Sequence, residues 1–585
     1  MNKKSVAILC LTILYSILFY HQHVGINFII FTAGALALFY YQDKTAFKSK
    51  PVLLMSLAAL LSATFAFVHN SNLSMWTTII TLFLLPGVFI NKRSSIWIDF
   101  GSSIYSSIVS PAYMVIDAVE SSKNKEGKGN TFLRMLKFLV PVFFVVIFFF
   151  IFRSMNPLFE NYTEEIADFI SIGWFFFTLG GTLLVYAFYK QQRSKKLDDW
   201  EKGWKLSLNE EEVAPPKWSE GVAFILLFVV LNAMLILVNV MDVNYLYLGA
   251  GMPDGITHKQ FVHKGVGMLI LSILLGISIL LYFFRGYLNF GKNKQGLKWL
   301  AILWVVQNVF MVISTSIRNT MYVDTALLTY KRIGVYFWLF FALLGLITLF
   351  VKLYRNKSVW YLARYNFMML YVVLLISSVF DWDRILSDFN IGRAKQMTEI
   401  SSLDKNYLLS ISEGNIRDLF ELKTREGFEV DSLYSYRGYG AYQHTNSSEL
   451  DLKVYRFLAD EEYGDWRSFS LRRNRVKEDI RQLNQEGKIK EMDLSYAYIH
   501  ELKPLTKLDK LERLNIFGCQ IVDWEHVAAL KELKELKISY LSKDDVVHFK
   551  ELKKLERVTV TFSNWDVVNR LEKILPGVQV SLEQP

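Results

Sequence analysis

Residues 511–532 read LERLNIFGCQIVDWEHVAALKE, and the apolar positions of this stretch return every 22 residues. Ile489, Leu511, Leu533 and Leu555 keep that interval, and three residues on so do Met492, Leu514, Leu536 and Val558. Leu494, Ile516, Ile538 and Val560 form a third column, and Leu502, Trp524, Val546 and Val568 a fourth. A fixed apolar lattice predicts a solenoid, in which each coil buries its inner face only by stacking on its neighbours. Four coils cover residues 489–576, and Val578, Val580 and Leu582 predict a closing strand.

The order L-x-x-L-x-I-x-x-C-x-I in Leu511–Ile521 resembles the leucine-rich repeat, in its 22-residue class. Cys519 stands where that family places Asn or Cys, whereas the other coils carry Ala497, Leu541 and Ser563. The asparagine ladder is therefore missing. The resemblance implies one short parallel strand per coil, with an exposed face. On that face Glu491, Arg513, Glu535 and Arg557 alternate in sign, and facing opposite charges help to set register by a few tenths of a kcal/mol each (~0.2–1). A second column holds Tyr496, Gly518, Tyr540 and Phe562, with Phe517 alongside. Exposed aromatics are favoured interface anchors, so Tyr496, Phe517, Tyr540 and Phe562 are the candidate partner-binding residues. The alternative is cover by another segment of the same chain.

The rest of the chain is written for lipid. Hydrophobic residues make up 52 % of 585, above the usual globular share. The formal charge of +10 sits in short loops between apolar runs, with no basic stripe, which argues against nucleic acid. Cys10 and Cys519 form no disulfide framework. Runs long enough to cross a bilayer lie near 5–20, 25–41, 51–69, 75–90, 136–152, 169–189, 219–241, 265–284, 297–315, 333–351 and 366–381. That is about 11 spans. The stretch 94–119, interrupted by Asp99, serines and Pro111, reads as an amphipathic interfacial segment.

With the N-terminus inside, Lys and Arg collect in inner loops, among them Lys44, Lys48, Lys92, Lys190, Arg285, Lys352 and Arg355. The loops HQHVG, NSNLS and NPLFENYTEEIAD are nearly free of them and fall outside. The discordant outer loop is 316–332, with Arg318, Lys331 and Arg332. An odd span count places everything after Asp381 outside the cytoplasm. The expected organisation is a transmembrane helical domain (1–382), a mixed soluble linker with a capping helix at 476–488 (383–488), and the α/β repeat solenoid (489–585).

Gln307 and Asn308 lie mid-span, with Arg318 and Asn319 beyond them. Polar groups at that depth either hold helices together or line a polar cavity. Asp381 and Asp383 form a D-x-D pair, which is either a helix end or a divalent-cation clasp. His258 and His263 have no third ligand nearby, so neither metal nor cofactor is expected, and no catalytic motif is present.

The phrases FVHKGVGMLILSILLGISILLYFFRGYLNF (261–290), WVVQN (304–308), IRNTMYV and LLTYKRIGV (317–335), LARYN (362–366) and DKNYLLSIS (404–412) resemble bacterial polytopic membrane proteins grouped as domains of unknown function 4153 and 4173. The resemblance implies a multi-pass inner-membrane protein and no activity. It places His263, Arg285, Gln307, Asn308, Arg318 and Asn319 in the recurring phrases. The expected function is a non-enzymatic bundle that presents a repeat platform to an extracytoplasmic protein or envelope component. The rival is a transporter or membrane-embedded enzyme with a cavity around Gln307, Asn308 and Arg318.

Overall fold

The computed structural model describes residues 3–92, 94–123, 145, 148–149, 151–163, 172–191, 195–212, 220–246, 248, 258–290, 294–396, 403–424, 433–436, 441–444, 446–462, 464–561 and 565–583. The chain divides into two compact units. The first comprises Met1–Tyr20, Phe28–Phe65 and Asn72–Phe380; the second comprises His21–Asn27, Ala66–Ser71 and Asp381–Pro585.

The first unit is helical: α1 (Lys3–Phe19), α2 (Ile26–Gln42), α3 (Lys50–His69), α4 (Asn72–Ile90), α5 (Ile96–Lys123), α6 (Pro157–Tyr162), α7 (Ile172–Tyr189), α8 (Lys195–Lys202), α9 (Glu220–Leu246), α10 (His258–Phe283), α11 (Lys294–Ala326), α12 (Tyr330–Tyr354) and α13 (Val359–Ser377), with the extreme ends of α2 and α3 counted in the second unit. Among the described residues, six helices are long and apolar enough to cross a membrane: α3, α4, α12 and α13 in full, with Gly221–Asn244 of α9 and Gln295–Ala326 of α11. Shorter apolar helices cover Val6–Phe19, Ile26–Gln42, Gly173–Tyr189 and Gly267–Phe283. The expected run near 136–152 lies largely outside the described residues. Leu226, Val230 and Leu237 on α9 and Leu54 and Leu57 on α3 point outward, as suits helices of crossing length in a bilayer. Phe224, Phe228, Leu280, Phe284, Trp304, Leu346 and Leu349 pack together where α9–α12 meet.

The stretch expected at the interface is the long helix α5, and its polarity is inverted. Asp99, Ser102, Ser103, Ser106 and Ser110 are buried, while Ile104, Ile108, Val115 and Ile116 are exposed. Ser103 donates to the carbonyl of Phe83 on α4, and Ser106 to that of Ala187 on α7 (3.2 Å). A Cβ at Gly87 on α4 would collide with Asp99. The serines thus allow a close helix approach, as small residues do in membranes. The amphipathic reading holds, but the polar face meets protein where water was expected.

The second unit contains α14 (Trp382–Gln396), α15 (Lys405–Ser410), α16 (Ile416–Lys423), an antiparallel hairpin of β1 (Leu433–Tyr436) and β2 (Ala441–His444), α17 (Asn446–Glu462) and α18 (Leu471–Gln485). A parallel sheet in the order β3-β4-β5-β6-β7 follows, formed by Glu491–Asp493, Arg513–Asn515, Glu535–Ser539, Arg557–Thr561 and Gln579–Glu583. Its register advances by 22 residues per strand, aligning Glu491, Arg513, Glu535, Arg557 and Gln579. Short 3₁₀ turns (Lys503–Lys507, Trp524–Ala529, Asp545–Glu551) and then α19 (Trp565–Ile574) return the chain between strands. Met492, Leu514, Leu536 and Val558 are all buried, as are Leu502, Trp524, Val546 and Val568. At the open end, Asn484 of α18 donates to Asp509 (2.7 Å) and accepts from the amide of Lys510 (3.3 Å).

Candidate functional site

Two groups of residues stand out, one in each unit. In the membrane unit, α9 and α11 run side by side with a constant offset. The Asn232 amide donates to the carbonyl of Leu300 (3.2 Å), and that of Asn239 to the carbonyl of Gln307 (3.4 Å). Gln307 in turn donates to Asn232 Oδ1 at 2.6 Å. Further along, Arg318 pairs with the buried Asp242. Asn308 bonds its own helix through Trp304 O (2.7 Å), and Asn319 reaches Arg332 O at 3.1 Å. All four intramembrane candidates therefore have protein partners. Hydrogen bonds of this kind hold helices together by about 0.6–2 kcal/mol each. Gln307 Oε1, Asn308 Oδ1 and Asn239 Oδ1 are also buried and accept from no donor among the described residues.

The loop expected at 316–332 is mostly helix. α11 continues to Ala326, and Arg332 closes its end by donating to the carbonyls of Ala326 (2.5 Å) and Leu327. Arg332 also lies over the Tyr322 ring, 4.3 Å from its centroid. Both arginines that made this segment discordant are thus engaged by the protein. Asn232, Asn239 and Asp242 were missed in the sequence, although their spacing of seven and then three places them on one helix face.

In the second unit the charged column pairs in twos: Arg513 with Glu491, and Arg557 with Glu535 at 3.6 Å. The aromatic column lies elsewhere than expected. Tyr496, Gly518 and Tyr540 have φ of 56°, 77° and 57°, so they occupy left-handed turns after the strands and not the strand face. Tyr496 packs edge-on against Phe517 (4.8 Å), and Lys537 lies over the Phe517 ring (5.2 Å). Tyr496 and Phe517 are half-buried on one another, Tyr540 is exposed, and Phe562 lies outside the described residues. Tyr498, Val522 and Trp565 are exposed too and were not foreseen. Cys519 is buried, and its thiol donates toward the carbonyls of Leu494 and Ala497 (both 3.2 Å); burial pushes its pKa up to about 12.

Asp381 and Asp383 meet a cation of the chain itself. Arg472, buried at the start of α18, donates to Asp383 Oδ2 (2.9 Å), to His69 O (3.1 Å) and to Ser412, and stands 3.6 Å from Asp381 Oδ1. The guanidinium fills the place a divalent ion would take. Among the described residues, no group of three or more His, Cys, Asp or Glu is arranged to hold a metal. The side chains of His258 and His263 lie outside them. Close by, Lys453 Nζ is buried among Leu409 O (3.1 Å), Ile411 O (2.9 Å) and Asn415 Oδ1 (2.9 Å), and burial lowers its pKa to about 8.

Apolar helices of crossing length, joined to a unit built on a parallel sheet, define a helical membrane protein with an appended folded domain. More narrowly, the family model described as a domain of unknown function (DUF4153) matches residues 54–422, more than half of the chain, and the protein belongs to that family. The match runs from α3 into α16 and ends before the parallel sheet. No curated protein and no solved structure matches the chain.

Proposed function

We propose that the protein is a non-enzymatic, multi-pass inner-membrane protein whose leucine-rich repeat platform, outside the cytoplasm, binds a protein or envelope component. One observation carries the reading. Subtracting the 22-residue register, Val522 aligns with position 500 (522 − 22), Tyr540 with 496 (540 − 44) and Trp565 with 499 (565 − 66), beside Tyr498 itself. The exposed apolar side chains thus fall within five aligned positions (496–500), from the end of each strand to the start of the segment that returns the chain, on rungs about 4.8 Å apart. Exposed Tyr and Trp at such spacing are typical binding anchors. The outward placement draws support from the second unit's make-up: HQHVG, Asn70 and Ser71 of NSNLS, and the segment from Asp381, all assigned outside by the Lys and Arg distribution, belong to it together.

A photo-crosslinking residue at 498, 540 or 565, in intact cells, tests the reading. A discrete adduct from these positions, and not from Lys550, supports it; equal or absent adducts at all of them refute it. A phosphatase fused at the C-terminus checks the side, since it is active only outside the cytoplasm.

The buried acceptor oxygens of Asn239, Gln307 and Asn308 favour a second reading, a polar cavity for transport or catalysis. If Gln307→Ala and Arg318→Ala abolish function in folded protein while Tyr498→Ala and Trp565→Ala do not, this reading replaces the first.

A further inference from the structure

Residues 464–472 read GDWRSFSLR, and here the second unit wears its polarity inside out. Trp466, Phe469 and Leu471 are 62 %, 43 % and 43 % exposed, whereas Ser468, Ser470 and Arg472 between them are buried. A surface facing water would show the reverse. The charges beside them are neutralised locally, because Asp465 accepts from the Arg467 amide (2.8 Å) and guanidinium (2.9 Å).

Where this loop lies follows from what it holds. Ser468 Oγ donates to Gln22 Oε1 (2.7 Å) and accepts from the amide of His23 (2.9 Å), while the amide of Ile26 donates to Phe469 O (2.9 Å). A Cβ at Gly25 would lie 2.6 Å from Phe469 O and from the Ser468 carbonyl carbon, so this backbone approach requires glycine. The Phe469 ring sits 5.9 Å from that of Phe67 in the last turn of α3, and Arg472 donates to His69 O at the end of that helix. Gln22–Ile26 joins α1 to α2, and α3 is of crossing length. The ends of such helices lie at the boundary between hydrocarbon and headgroups.

We propose that the 465–471 loop is a bilayer contact, with Trp466, Phe469 and Leu471 seated in the headgroup layer at the tips of the α1–α2 and α3–α4 hairpins. Tryptophan favours that layer, where its ring is shielded and its N–H stays wet. The contact gives the second unit its own hold on the membrane surface, independent of whatever the repeat face binds.

The test uses the full-length protein in phospholipid nanodiscs, in a Cys10→Ser background where the buried Cys519 stays unlabelled. Trp466→Cys, Leu471→Cys and Tyr498→Cys each carry one small fluorophore, and quenching by iodide is compared with quenching by lipid bearing a nitroxide near the acyl carbonyl. The expected result is at least threefold stronger lipid quenching at 466 and 471 than at 498, with weaker iodide quenching. If 466 and 471 behave as 498 does, the loop faces water and the proposal fails. Protection from both quenchers overturns it in favour of a protein contact. Because 466 and 471 are separate substitutions, loss of folding in one leaves the other to decide.

Discussion

Arg472→Met puts the account of the second unit at most risk. The arginine is buried and holds together three separate stretches of chain: His69 O at 3.1 Å, Asp383 Oδ2 at 2.9 Å with Asp381 Oδ1 at 3.6 Å, and Ser412. Methionine keeps most of the apolar stem and removes the fork. Removing one partner of a buried ion pair typically costs about 3–5 kcal/mol, because the other charge is left desolvated. Asp381 and Asp383 keep 17 % and 19 % of their side-chain exposure, so water partly compensates them and the lower end applies, about 3 kcal/mol. For a unit of this size, 1 kcal/mol moves the melting point by roughly 2–4 °C, which predicts a fall of roughly 6–12 °C. Cys519 supplies a probe specific to this unit. Buried and with its pKa pushed up to about 12, it reacts only once the sheet opens. Maleimide labelling against temperature, in Cys10→Ser protein, therefore reads the midpoint without interference from the membrane helices. Adding Asp381→Asn and Asp383→Asn to Arg472→Met removes the stranded charges and should recover about half of the loss. A shift under about 2 °C, or no recovery in the triple variant, would falsify the claim that this ion cluster holds the unit together.

Asp451 makes a pH prediction: burial, opposed in part by Lys423, pushes its pKa up to about 6, while it accepts from the Asp493 amide at 2.9 Å. The folded value lies above the unfolded one of about 4, so its contribution is present below pH 4 and lost as pH rises through 6, about 2–3 kcal/mol in all. Asp451→Asn should flatten that part of the Cys519-labelling midpoint between pH 4.5 and 7.5; an unchanged slope contradicts the assignment. Gly518→Ala should cost about 1–2 kcal/mol, from its φ of 77° and a Cβ placed 2.6 Å from the Tyr496 ring. Part of that loss should return in a Tyr496→Ala background, and strict additivity of the two changes would rule out the contact. In the membrane unit, Arg318→Ala strands the buried Asp242 and should sharply reduce monodisperse protein after detergent extraction. Asp242→Asn in the same chain should restore it, whereas Gln307→Leu alone should cost under about 1 kcal/mol. Equal yields from all three variants would remove the ion pair from the account.

How far the sequence could be read depended on how local the information was. The 22-residue lattice required only a count along the chain, and the paired strands carry that register from Glu491 to Gln579. The same count could not report backbone dihedrals. Tyr496 and Tyr540 were placed on the strand face because they align, while the glycine in their column, Gly518, was the sign of a left-handed turn. The polar face of α9 was hidden by averaging, since Asn232, Asn239 and Asp242 barely dent the hydropathy of their span. Arg318 suggested a break in α11 because its partner, 76 residues earlier, was not considered. Arg472 was illegible: its partners lie 60, 89 and 403 residues away, and only the fold brings them together.

The inward polar face of α5 and the oversight at 465–471 share one physical cause. In both, serines and charged groups face protein while Ile104 and Ile108, or Trp466 and Phe469, face outward. Alternation alone says that a segment has two faces; which face is buried depends on the surrounding solvent. In water the apolar face must hide, so Asp99 and five serines in a row of helical turns read as a wet surface. In lipid the free-energy difference reverses, because an unpaired hydroxyl or carboxylate in hydrocarbon costs several kcal/mol, roughly 2–7, and an exposed isoleucine costs nothing. The hydrogen bonds from Ser103 to Phe83 and from Ser106 to Ala187 are then the reason the polar face turns inward. Inverted polarity is therefore a local reporter of solvent. Ile104–Ile116 of α5 carries this inversion, and the proposed bilayer contact at Trp466–Leu471 rests on the same criterion.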